Sequence, residues 1–285
     1  PLTLTVRLIT VRLPSGEFDV PLVVQDKRFD ASGMLFYDPF DHDGFLGDKF
    51  LVNGVIQPFL LVARRKYRFR VLNGSNARFY EFFLSSGAPF VAIATDDHLF
   101  EHPVTVESFR LSPAQRVEVI VDFSHHALGD EVFLENRLVQ TDGRKPDGIE
   151  TPGTPLMKFV VDRDAADPSR VPATLRPLTE GPAQLLPRVR VERTFRFDRS
   201  HGGWTINGEL FDENRINATP KRGEPEIWNL EGSSGGWAHP VHIHLSEFFV
   251  LSRDGLVPPP LEQNRRDTIV VGPNTSVKIL IAFSL

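Results

Sequence analysis

The sequence predicts an all-β protein built as two Greek-key β-sandwiches. Four observations predict it. Side-chain character alternates with period two in segment after segment, long amphipathic helical patterns are missing, and 23 Pro and 21 Gly punctuate the 285 residues with turns. Fourth, the chain repeats itself, as set out below. Helix is expected in less than about a tenth of the residues.

The elements follow in order. The opening PLTLTVRL alternates Thr, Val, Arg and Leu, so residues 2–8 read as a strand. YRFRVLN (67–73), RVEVIVDF (116–123) and EVFLEN (131–136) alternate or run apolar, and LMKFVVD closes this first group. DGRKPDGIETPGTP (142–155) reads as a mobile loop, from its Gly, Pro and Asp content. Pro168, Pro172, Pro177, Pro182 and Pro187 then mark an extended connector over 166–190. TFRFD (194–198) and VKILIAF (277–283) are strands of the second group.

The repeat is in register. FLVNGVIQP (50–58) matches WTINGELFD (204–212), so Asn53-Gly54 is answered by Asn207-Gly208. RFRVLNGS (68–75) matches EIWNLEGS (226–233). SPAQRVEVIVDFS (112–124) matches GPNTSVKILIAFS (272–284), pairing Pro113 with Pro273 and Phe123 with Phe283. A shared strand-and-turn grammar gives one such match; three in the same order indicate two copies of one unit. The expected domains are 1–165 and 191–285. The second copy stops soon after Phe283, where the first continues through further strands. The second sandwich is therefore expected to lack its C-terminal strands and to carry an open edge near Val277–Phe283.

The net charge of −5 and a pI near 6.0 argue against a nucleic-acid surface, which needs clustered Lys and Arg. No apolar run is long enough to span a bilayer, and the first residues lack the build of a signal peptide, so localisation does not follow from a targeting segment. There is no cysteine, hence no disulfide and no thiolate ligand in this chain.

The chemistry concentrates in HPVHIHL (239–245), which holds three of the nine histidines. On a strand, His242 and His244 project from one side and can address one metal centre, whereas His239 has the opposite parity. Imidazole suits Cu, Zn, Fe and Ni. The bland alternative is a set of surface or hydrogen-bonded histidines, but His-x-His beside a third His favours metal ancestry. A cupin-like mononuclear site is a weaker alternative. Only two residues separate His244 from Glu247, and strand parity sends Glu247 to the other face.

HPVHIHLSEFFVL (239–251) resembles the third-domain copper motif of multicopper oxidases, the family of laccases, bilirubin oxidase and the bacterial spore-coat laccase. LPSGEFDVPLVVQDKRFDASGMLFY (13–37), FLVNGVIQPFLLVARRKYRFRVLNGSNARFYEFFLSSG (50–87) and LSPAQRVEVIVDF (111–123) resemble that family's second domain. RRDTIVVGPNTSVKILIAF (265–283) resembles the stretch after the histidine motif. The resemblance implies two cupredoxin-like sandwiches, the second incomplete, and copper as cofactor. It implies that His239 matches a ligand of the type 1 copper, which takes electrons from substrate. His242 and His244 match ligands of the trinuclear cluster, which reduces dioxygen to water.

The sequence departs from the family pattern in what it omits. It has one His-x-His pair where the family's cluster uses four, and no Cys for a type 1 site. A multicopper oxidase fragment, inactive as an isolated chain and without full copper occupancy, is therefore expected. The alternatives are one subunit of a split oxidase, whose partner chains supply a first domain and a C-terminal tail, or a purely structural module. A homo-oligomer is expected, with an interface around His239–His244 or the 277–283 edge. Members of the family are often periplasmic, secreted or part of the spore coat.

Overall fold

The structure, a computed structural model, describes residues 12–233 and 235–283; the strand expected at 2–8 lies outside the described residues. Among the described residues, helix is confined to Pro182–Leu185 and three short 3-10 turns. Everything else that is regular is strand.

Strands between Asp19 and Arg163 form two sheets packed face to face. One has eight strands and contains Asp19–Phe29, Lys66–Asn73, Arg116–Asp122 and Phe90–Thr95. The other has five, with Tyr80–Leu84 and Glu131–Val139 at its centre. Their inner faces show why the chain uses phenylalanine so heavily. Phe69, Phe82, Phe90, Phe109, Phe123 and Phe159 are all fully buried in this core. Phe82 stacks on Phe109 at 4.8 Å, and Phe90 meets Phe109 edge-on at 4.9 Å. Each ring contributes about 1.5–3 kcal/mol by leaving water.

The second sandwich is thinner. Its large sheet has six strands, among them Val191–Ser200, Pro225–Gly232, Ser276–Ala282 and Phe248–Arg253. Among the described residues its other layer has two strands, His239–His242 and Thr268–Val271. Between the layers lie Leu230, Phe248, Val250, Ile269, Val271, Val277, Ile279 and Ile281.

The open edge expected at 277–283 is not there. Ser276–Ala282 is an interior strand, paired with Pro225–Gly232 on one side and Phe248–Arg253 on the other. Among the described residues His239–His242 is an edge strand, whose one strand neighbour is Thr268–Val271. The loop expected at 142–155 is also shorter than its composition suggested. Gly148–Arg163 is one long strand against Glu131–Val139, and register shifts in that pairing absorb Pro152 and Pro155. The connector is anchored at both ends, with Leu175 buried in the first core and Leu185 against Phe249 and Leu280.

The two Asn-Gly pairs occupy equivalent hairpins. Asn53 and Gly54 join Lys49–Val52 to Val55–Ile56 at φ +52° and +82°; Asn207 and Gly208 join Gly203–Ile206 to Glu209–Leu210 at φ +55° and +81°. Positive φ at both positions is what a tight hairpin of matching twist requires. Each Asn also clasps the neighbouring strand. Asn53 accepts from the Val23 N–H at 2.8 Å and donates to the Pro21 carbonyl at 2.9 Å. Asn207 does the same with Arg196 and Thr194, at 2.7 and 2.8 Å.

The seam between the sandwiches carries polar contacts beside the apolar packing of Leu261 on the first core. Thr95 Oγ1 donates to the Arg265 carbonyl at 3.1 Å, and Gln115 Nε2 donates to the Thr268 carbonyl at 3.1 Å. The second contact reaches the strand beside the histidines, and the first reaches the segment just before it.

Candidate metal centre

The histidine motif is not one continuous strand. His239–His242 is a strand, the chain turns at Leu245 (φ +65°), and a second strand runs Phe248–Arg253. The first strand lies antiparallel to Thr268–Val271, with His239 opposite Val271 and His242 opposite Thr268. Val241 and Ile243 pack towards the second core. Alternation therefore turns His239 inward with them and leaves His242 and His244 outward, as strand parity demands.

His242 and His244 come together, with ring centroids 4.8 Å apart at an interplanar angle of 64°. Both are solvent-exposed. His239 keeps different company. Its ring stacks on Phe197 at 5.8 Å and meets Trp204 edge-on at 5.5 Å. Burial lowers its pKa, against the opposing charge of Asp198, and so favours the neutral imidazole. Beside it opens a cleft of about 300 Å³ lined by Phe197, Trp204, Ile206, Leu210 and Phe211.

His242 is held by groups that motif reading does not reveal. Its Nδ1 lies 3.0 Å from the Asp267 carbonyl oxygen and 3.0 Å from Thr268 Oγ1. Arg116 grips the Asp267 carboxylate with two nitrogens, at 2.8 and 2.5 Å. Burial pushes the Asp267 carboxyl up, but the hydrogen bonds from Arg116 and Thr268 outweigh it and hold the group below its ordinary value.

A second cluster, also missed from sequence, sits on the seam. Asp97, His98 and Glu247 approach one another closely enough to share a metal ion. His98 Nδ1 is 2.6 Å from Asp97, and its Nε2 is 2.8 Å from Glu247. Glu247 thus leaves the face of His242 and His244, carried by the bend at Leu245 rather than by strand alternation, and reaches the first sandwich.

Two family profiles match this chain, each described as multicopper oxidase, over residues 33–134 and 185–284. Together they cover more than half of it. The chain belongs to the multicopper oxidase family. Bilirubin oxidase from Albifimbria verrucaria is 35% identical over 94% of the chain, and a laccase from Haloferax volcanii is 36% identical over 95%. The chain spans about half the length of these relatives, 49% and 48%. Among solved structures, the multicopper oxidase McoA of Aquifex aeolicus is 31% identical with a TM-score of 0.79, covering 94% of this chain and 59% of that one. A multicopper oxidase from Pediococcus acidilactici superposes with a TM-score of 0.81 at 29% identity, covering 96% of this chain and 55% of that one. These neighbours are cupredoxin-like β-sandwich proteins, and the fold here is theirs.

Membership in the multicopper oxidase family implies copper. The donor chemistry at His242 fits it. The ring nitrogen facing Asp267 and Thr268 is engaged, which leaves the other for a metal; ligating histidines are oriented this way. His239, half-buried and neutral, is a suitable second imidazole elsewhere. This chain contributes no thiolate, because it has no cysteine.

Proposed function

We propose that this chain carries part of the copper-binding apparatus of a laccase-like multicopper oxidase. His242 and His244 would hold copper of the oxygen-reducing cluster, and His239 would hold the copper that receives electrons. The whole reaction in this reading is one-electron oxidation of phenols, aromatic amines or metal ions, coupled to reduction of dioxygen to water. When bound, copper supplies the electron transfer. The chain's own residues do the rest. The walls of Phe197, Trp204 and Phe211 offer an apolar seat beside His239 for an aromatic donor, and Asp267 and Thr268 orient His242.

The observation that carries this reading is the His242–His244 pair, with Nδ1 of His242 already committed to Asp267 and Thr268. Two histidines from one short segment do not complete a coordination sphere. The isolated chain is accordingly proposed to be inactive. Oxygen uptake with a phenol and added Cu(II) should stay at the level of the His242→Ala variant. Histidine-dependent phenol oxidation by the pure chain overturns the proposal of inactivity.

In a second reading, another polypeptide completes the site. The edge position of His239–His242 favours it, because an edge strand invites a partner strand. A self-associated form, dimer or trimer, belongs to this reading. Light scattering that returns a monodisperse monomer counts against self-association.

A further inference from the structure

The acceptors around His242 Nδ1 decide its tautomer. The Asp267 carbonyl oxygen has no hydrogen to give. Thr268 Oγ1 has one, and donates it to Asp267 Oδ1 at 2.8 Å. Towards His242, Thr268 therefore presents only a lone pair. Asp267 Oδ1 itself stands 3.4 Å from Nδ1. Every near neighbour of this nitrogen is an acceptor, so Nδ1 carries the hydrogen and Nε2 keeps its lone pair.

The other sandwich holds these acceptors in place. Asp96 sits in the turn between Phe90–Thr95 and His98–Val106, with φ +54°. Its side chain is fully buried. Its Oδ2 accepts the backbone N–H of Asp267 at 2.9 Å and of Thr268 at 3.3 Å. Its Oδ1 accepts the backbone N–H of Arg116 at 3.3 Å. Arg116 then reaches across the seam to both carboxylate oxygens of Asp267. One buried carboxylate fixes the backbone of residues 267 and 268, and one guanidinium fixes the side chain that receives Thr268's hydrogen.

We propose that Asp96 and Arg116 are positioning residues for His242, fixing its Nδ1–H tautomer through Asp267 and Thr268 so that Nε2 is free for a metal. The metal part of this statement rests on the copper reading above; the tautomer part does not. The first sandwich thereby takes part in the site although none of its residues is a proposed ligand. A guanidinium suits the task because its planar fork matches a carboxylate at two points, which an ammonium cannot do.

The test uses the whole metal-free chain, at a pH where imidazoles are neutral. Long-range 1H–15N correlation spectra report the tautomer of each histidine. His242 is expected as Nδ1–H in the wild type. Arg116→Ala and Asp96→Asn should move it towards Nε2–H, with Arg116→Lys in between. His102 is the internal control, since its Nδ1 meets the Ala173 carbonyl at 2.8 Å, away from this network. Its signal must stay unchanged in any variant that counts. If Asp96→Asn fails to fold, the two Arg116 variants decide the matter, because that side chain is partly exposed and its loss leaves no cavity.

Cu(II) titration of the same variants should show about tenfold weaker binding, the lower end of the effect of losing an outer partner of a metal ligand. An Nε2–H His242 in the wild type overturns the proposal. So do an unchanged tautomer and unchanged copper affinity in Arg116→Ala with His102 undisturbed. A tautomer response without any His242-dependent copper binding supports the positioning and overturns only the copper reading.

Discussion

Nε2 of His98 lies 2.8 Å from Oε1 of Glu247, and this contact ties the turn after Phe90–Thr95 to the bend that follows the histidine motif. His98 is largely buried and Glu247 about one-third exposed, at 14% and 33% of their side-chain surface. Arg265 approaches the other oxygen of Glu247 at 3.7 Å. Glu247→Ala removes the acceptor and leaves an imidazole nitrogen facing the seam. The expected loss is at most about 1 kcal/mol, the upper end for an ion pair open to solvent. Urea denaturation measures it; a wild-type midpoint in Glu247→Ala contradicts the assignment.

The equivalent Asn clasps predict a paired result. Asn53→Ala and Asn207→Ala each lose two hydrogen bonds to the adjacent strand and place a β-carbon in left-handed backbone. Each should cost about 2 kcal/mol, from roughly 1 kcal/mol of backbone strain and roughly 1 kcal/mol of net hydrogen bonding. The Gly variants keep the backbone and lose only the clasp, so they should lie between Ala and wild type. Denaturation of the four variants in parallel checks this. Ala variants no less stable than the Gly variants would show that the left-handed conformation carries no weight.

Asp167 predicts an acid dependence. Burial raises its carboxyl, but hydrogen bonds from Ser169 and Lys66 prevail, and its pKa falls from 3.8 to about 2. A carboxyl with a folded pKa below its unfolded value binds more protons in the unfolded state. Its stabilising contribution is therefore complete above about pH 4 and disappears as pH falls towards about 2. Asp167→Asn should lower stability at neutral pH and converge on wild type in acid. Parallel curves for the two proteins down to the lowest accessible pH contradict this.

How much of this was legible beforehand depends on distance along the chain. Period-two alternation is a local property, so Lys66–Asn73, Arg116–Asp122 and Ser276–Ala282 could be read directly. The outward pair of His242 and His244, and the inward turn of His239, followed from parity alone. The bend at Leu245 did not, because a positive φ on leucine has no signal in composition. Gly148–Arg163 was hidden by its prolines, which only the register shifts of its neighbour make tolerable. The supports of His242 were hidden by separation. Arg116 and Asp267 are 151 residues apart and Asp96 and Thr268 are 172 apart, so no spacing rule connects them. RRDTIVV was recognised as part of the framework, but nothing in it showed that Asp267 and Thr268 turn towards a histidine.

The most direct test of the account is Cu(II) titration of the pure chain, followed by electron paramagnetic resonance. The account predicts a nitrogen-coordinated Cu(II) signal that disappears in His242→Ala/His244→Ala and persists in His239→Ala, since His239 faces Phe197 and Trp204 instead. The same nitrogen-coordinated signal in wild type and in His242→Ala/His244→Ala would contradict it.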